Sequence, residues 1–415
     1  MQKIFAAFAI LFSFTLLFSS CGKSGGGANE LVIFSYMSDE KPKKIFAYTV
    51  EEFKKQNPEI KVTVNTFAHE QFKSMLPNWL VSTNSPDVVT WFAGYRMQAF
   101  AEKGLLEPID EIFPGGSFEE EFAPAFKGSS SYKGKVYFMP QTWYWWAIYY
   151  NKKVFEKNGI TPPKTWEEFI AACEKLKKAG ITPIAIGAKD TWTAGGWFDY
   201  MDSAVNGGDF HSKLTSGDIS YTDPKVKESF KYIADLVKNG YIMPNASSYS
   251  WQEAAGKLIS GDAGMYLMGQ FIRDVLPKDK QNDIDFFQFP IVGDNTKYSV
   301  DTPTDGFMIP KNSKNKTAAK KFMTFLATKE SQNAVCGPLG RLGGNKNVTP
   351  ADAEAQKGLD MVLGATYAMQ FYDRDAPEEM AQKGMNGIVE IIQSPDKIDA
   401  VLENLEKERK RIYNK

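Results

Sequence analysis

The 415-residue chain balances 49 Lys and Arg against 50 Asp and Glu, for a formal net charge of −1, and 43% of its residues are apolar. That length points to two lobes rather than one small domain, and the even charge provides no basic field for nucleic acid. Aromatic residues make up 14% of the chain, with 9 Trp. Many of them fall in loops or at predicted strand ends, where core packing is a less automatic explanation.

Lys3 precedes a run over 4–18 that is apolar except for Ser13 and Thr15, followed by Leu17-Phe18-Ser19-Ser20-Cys21-Gly22. A basic start and a short apolar core predict a secretory signal over 1–20 rather than a spanning helix. The small residues ahead of Cys21 resemble a lipobox, which implies cleavage before Cys21 and acyl chains on it; two or more chains anchor stably where one does not. Residues 21–29, with Gly25, Gly26 and Gly27 in succession, then form a flexible tether. Cys173 and Cys336 show no local pairing pattern. Cys173 shares an apolar helical face with Phe169 and Leu176, which predicts a buried free thiol.

Along the mature chain, 31–36 reads as a strand and 39–56 as a helix stopped by Asn57-Pro58. A strand over 60–64, a helix over 70–81, a strand over 87–91 and a helix over 97–103 follow. This alternation predicts an α/β lobe with a mostly parallel sheet. An aromatic run over 143–150 leads into a second lobe. There Thr165-Trp166-Glu167-Glu168 has the form of a capping box, and Gly180 ends its helix. Strands are predicted over 181–186, 285–289 and 307–309. Helices are predicted from Asp223-Pro224 to Asn239-Gly240, over 316–327, and over 396–413 with Ile398, Val401, Leu402 and Leu405 on one face.

Several stretches, in order, resemble the family of extracellular solute-binding proteins that includes the maltose/maltodextrin-binding proteins. They are Ser85-Pro86-Asp87-Val88-Val89, the run from Phe100 to Ile109, Tyr149-Tyr150-Asn151-Lys152 with Pro162-Pro163-Lys164-Thr165-Trp166, the run from Gly261 to Phe271, and Asp305-Gly306-Phe307-Met308-Ile309-Pro310. The resemblance implies an α/β, two-lobed periplasmic-binding-protein-like fold with an interlobe ligand cleft and several crossover segments. Lobes of 30–140 plus 303–340 and of 145–300 plus 345–415 would close on ligand by hinge bending. It further implies a substrate-binding lipoprotein of an ABC importer, a monomer that captures a sugar, expected to be an oligosaccharide, and meets permease subunits at the membrane. The alternatives are a receptor for another small solute or a sensor on the same fold, with a carbohydrate-active enzyme a distant third.

Sugars present hydroxyls to planar polar groups and C–H faces to aromatic rings. By family spacing Trp91 and Arg96 fall at ligand-contacting positions, although Tyr95 stands where the maltose-binding relatives carry an acid. Tyr144 also falls at a sugar contact, and along an extended segment Tyr144 and Trp146 face opposite to Trp143 and Trp145. Tyr144 and then Trp143 are the expected contacts, with Trp145 assigned to core. Trp192 and Trp197 lie near Gly195-Gly196 in the region of second-lobe contacts. Phe271 retains a stacking face, and Asp305 can accept from hydroxyls, with a structural turn at Asp305-Gly306 the other reading. Trp251, Asp301 and Arg341 are weaker candidates. With only His69 and His211 as histidines, neither a metal site nor a cofactor is expected, and no nucleophile elbow or phosphate-binding Gly loop is present.

Overall fold

The computed structural model describes residues 30–113, 115–293 and 298–414, so the signal over 1–20, Cys21 and the tether over 21–29 lie outside the described residues. A six-stranded sheet runs in the order Leu342–Gly343, Met139–Trp143, Thr304–Met308, Val88–Phe92, Glu30–Ser35 and Lys61–Thr66. A four-stranded sheet runs in the order Ile284–Phe287, Trp146–Asn151, Ala263–Gly269 and Thr182–Ala185. The chain passes from the six-stranded to the four-stranded sheet at 143–146; at 301–304 it enters the six-stranded sheet from a two-stranded sheet of Ser299–Asp301 and Tyr367–Met369, and beyond Gly343 it returns to that smaller sheet.

Both sheets are mixed, not mostly parallel. Glu30–Ser35 pairs in parallel with Lys61–Thr66 and with Val88–Phe92, as successive strand–helix–strand units require. Thr304–Met308 arrives from the other lobe with no helix to reverse it, and it lies antiparallel to Val88–Phe92 and Met139–Trp143. Likewise Trp146–Asn151 is antiparallel to both of its neighbours, whereas Thr182–Ala185 and Ala263–Gly269 pair in parallel.

The central strands Val88–Phe92 and Thr304–Met308 of the six-stranded sheet are buried on both faces, and strand alternation divides their side chains between two cores. Leu31, Ile33, Val88 and Phe307 pack with Phe53 and Phe322 on one face. Val89, Trp91 and Met308 pack with Phe72 and Phe100 on the other. A single larger core fills the second lobe around Trp146–Asn151 and Ala263–Gly269. The capping box forms: Thr165 Oγ1 accepts from the Glu168 N–H at 3.3 Å, and Glu168 Oε2 accepts from the Thr165 N–H at 3.4 Å. Helix Ile398–Tyr413 buries Ile398, Val401, Leu402 and Leu405 against Glu378–Gln393. Cys173 and Cys336 are free and buried, and burial pushes the Cys173 thiol well up.

Asp305 and Gly306 lie inside strand Thr304–Met308, at a register shift opposite Met139–Trp143, and not in a turn. A Cβ at Gly306 would sit 2.0 Å from the Met139 carbonyl oxygen and 2.8 Å from the Phe138 ring. Glycine therefore lets the two strands close up at the point where one of them carries Asp305 into the cleft. Gly306→Ala is expected to destabilise the protein by about 2–3 kcal/mol through overpacking, read from urea unfolding midpoints. A change below about 0.5 kcal/mol would place the close approach elsewhere.

Candidate ligand-binding cleft

A cavity of about 390 Å³ lies between the lobes, within the range of about 300–1,000 Å³ usual for small-molecule sites. Its first-lobe side is built from strand ends. Tyr36 and Asp39 follow Glu30–Ser35, His69 and Glu70 follow Lys61–Thr66, and Asp305 stands near the start of antiparallel Thr304–Met308. Ligands in α/β sheets collect beyond the carboxyl ends of strands, because loops and helix N-termini converge there.

The second-lobe side is a wall of rings around Phe271. Its ring meets Tyr144 at 5.4 Å and 88°, Trp251 at 5.2 Å and 86°, and Trp146 at 6.1 Å and 80°, all edge-on, with Trp192 tilted at 6.0 Å. Edge-to-face packing of this kind fixes ring orientation beyond mere area burial. Gly269 makes it possible: a Cβ there would fall 2.3 Å from the Phe271 ring, which folds back over the strand end.

Charged groups join the two sides. Arg374, on the short second-lobe helix Tyr372–Asp375, donates to Asp305 Oδ1 and to the Tyr144 hydroxyl, each at 3.1 Å. Its guanidinium carbon lies 4.0 Å above the Phe92 ring. Tyr36 donates its hydroxyl to the same Asp305 oxygen at 3.1 Å. Arg341 pairs with Asp274 at 2.7 Å, and Lys41 approaches Asp274 at 3.7 Å. Lys73 reaches Glu70 at 3.1 Å and Asp373 at 3.4 Å. Burial opposes the charge on Glu70, but a hydrogen bond from His69 and the field of Lys73 hold its pKa down at about 2. Asp190 makes no ion pair among the described residues, and burial, with Glu70 nearby, raises its pKa.

Of the residues singled out in the sequence, Tyr144, Trp192, Phe271 and Asp305 line the cavity, as do Trp251 and Arg341. Trp91 does not: alternation puts it beside Val89, and its ring packs on Phe72, Phe92 and Phe100. Arg96 is buried over the Trp91 ring at 5.0 Å and pairs with Glu378 at 2.6 Å, so it ties the lobes together outside the cavity. Trp143 turns away, donating to the Gly343 carbonyl at 2.8 Å and packing on Phe126. Trp197 stands five positions beyond Trp192 on helix Trp192–Asn206, about 140° around the axis, and is buried with Phe169 and Phe289. Asp301 is wholly buried, both carboxylate oxygens lack a partner among the described residues, and burial with Asp199 nearby pushes its pKa well up.

Trp146, on the Tyr144 side of the alternation, joins the cavity, while Trp145 packs on Phe286. Sequence reasoning left out Tyr36, Glu70, Asp190, Asp274, Asp373 and Arg374. Tyr36 and Glu70 carried a usable signal, since each lies within a few residues of a predicted strand end. Arg374 carried none, because its place depends on how the chain folds back after its last crossing.

A sequence model of the family described as bacterial extracellular solute-binding protein matches residues 38–333. An ABC transporter extracellular-binding protein of Pyrococcus horikoshii is 29% identical over 330 residues, 78% of this chain and 73% of that one. A probable sugar-binding periplasmic protein of Mesorhizobium japonicum is 27% identical over 292 residues, 68% of each chain. Among solved structures, the bacterial solute receptor AcbH, described as having an exclusive preference for β-D-galactopyranose, superimposes with a TM-score of 0.88 at 34% identity, over 93% of this chain and 100% of its own. The chain belongs to the bacterial extracellular solute-binding protein family and has its two-lobed fold.

Proposed function

We propose that this chain is the ligand-capturing lipoprotein of an ABC importer, which binds a sugar between hinged lobes of 30–140 plus 303–340 and 145–300 plus 345–415. The observation that carries this reading is a cavity with an aromatic wall on one side and charged hydrogen-bonding groups drawn from both lobes. Ring faces of Trp192, Trp251 and Phe271 suit the C–H face of a pyranose. The carboxylates of Asp305 and Asp274, each held by an arginine, offer acceptors to hydroxyls. Sugar-binding relatives at a quarter to a third identity support the same ligand class. On this reading the chain is a monomer, is held at the membrane by lipid on Cys21, hands its ligand to permease subunits, and binds without turnover.

Titrating the purified mature chain with a panel of neutral saccharides is expected to give a saturable change in Trp fluorescence with at least one of them, the sugar being recovered unchanged. A flat response across the panel, or hydrolysis products, would contradict the reading. Trp192→Ala is expected to weaken binding at least tenfold with the fold intact, which is about 1.4 kcal/mol. Arg374→Met strands Asp305, and is expected to cost about 3 kcal/mol of stability. Adding Asp305→Asn should restore part of that loss, and a strictly additive double variant would show that the pair is not coupled. For the anchor, Cys21→Ser should move the protein from the membrane fraction to the soluble extracytoplasmic one; unchanged membrane retention would remove lipid from the account.

A further inference from the structure

Three features of the cleft bear on which sugar it takes: how much space it encloses, where the lobes touch around it, and the sign of the charge on its lining. We infer that the cavity takes a single neutral pyranose ring, a monosaccharide, and discriminates against longer saccharides and against acidic sugars. The inference rests on the sugar-receptor reading above and narrows it.

Space sets the first limit. An apolar cavity of about 150 Å³ is filled by benzene, roughly 25 Å³ for each non-hydrogen atom. At that density the cavity of about 390 Å³ holds on the order of 16 such atoms. A hexose has twelve, and two linked hexoses have twenty-three. One ring fits with room for bridging water, whereas two exceed that count, so the second would have to lie outside the cavity, towards solvent or between the lobes.

The lobes meet around the cavity, in each case at a carboxylate of the lining. Gln252 Nε2 donates to Asp39 at 3.4 Å, Lys73 reaches across to Asp373 at 3.4 Å, and Lys41 lies 3.7 Å from Asp274. The Asp373 and Asp274 side chains are only 8% and 4% exposed. A second sugar ring wedged between the lobes at the Lys73–Asp373 or Lys41–Asp274 contact would separate that pair while still covering its carboxylate from water, which is costly.

Charge sets the second limit. Six carboxylates line the cavity, those of Asp39, Glu70, Asp190, Asp274, Asp305 and Asp373. Against them stand the guanidiniums of Arg341 and Arg374, and both are already engaged, with Asp274 and Asp305. Lys41 and Lys73, behind the lining, are likewise committed to Asp274 and to Glu70 with Asp373. A uronate would bring one more negative charge into a partly desolvated site whose two lining guanidiniums each already face a carboxylate. A neutral polyol adds no charge, and its hydroxyls can donate to the lining carboxylates and accept from the lining donors.

Calorimetric titration of the mature chain tests the inference. The probes are D-galactose, D-glucose, D-mannose and D-xylose, with disaccharides containing each of them, and with D-galacturonate and D-glucuronate. The tightest monosaccharide is expected to bind at least tenfold more tightly than its disaccharide. Galactose or glucose, whichever binds more tightly, is expected to exceed its uronate at least a hundredfold. A disaccharide or uronate that binds as tightly as its parent ring overturns the inference and leaves the sugar reading standing. Failure of every carbohydrate, of any length, overturns both. Two variants locate the cause: Gln252→Ala should narrow the disaccharide penalty and Asp190→Asn the uronate penalty, each at least threefold. Ratios unchanged in both variants would contradict the inference.

Discussion

A guanidinium cannot remain in a dry boundary between two lobes unless something on each side receives its protons. Arg374 satisfies that condition only when the lobes are together: it is carried by the second lobe, and the first lobe supplies Asp305 and the face of Phe92. Ion pairs of this kind contribute little net stability, because the attraction gained on closing is offset by the desolvation of both charges. That near-balance suits a capture device. Protein contacts specify the closed geometry without holding it shut, so the differential contacts of a ligand can decide between open and closed.

The same constraint explains why the cleft is built from strand ends and crossings. Each time the chain changes lobe it delivers an extended segment whose alternate residues face opposite ways, so Tyr144 and Trp146 face the cavity while Trp145 stays in the second-lobe core. Strand Thr304–Met308 does likewise for Asp305, with Gly306 permitting the close approach. Because these segments run against the direction of the helix-linked strands, both sheets become mixed.

Most of the fold was legible in the sequence because its signals are local: the hydrophobic period of Lys316–Ala327, the capping box at Thr165, and Asp223-Pro224 opening Pro224–Lys238. The cleft was legible only in part. Tyr144, Trp192, Phe271 and Asp305 lie near strand ends or crossings that could be placed from the chain order. Trp91 and Trp197 were legible as residue types but not as directions; one is turned into the core by strand alternation and the other by helical rotation. Arg374 and Asp373 depend on a return path through the third crossing that no short-range pattern encodes.

The central claim is that the aromatic wall around Phe271 and the Arg374–Asp305 pair hold one sugar between them. A crystal structure of the mature chain grown with its tightest saccharide tests this most directly. The account requires a pyranose lying against the rings of Phe271 and Trp192, with its hydroxyls hydrogen-bonded to groups of both lobes. A sugar bound on the outer surface, or a cavity filled by a different class of molecule, would contradict it.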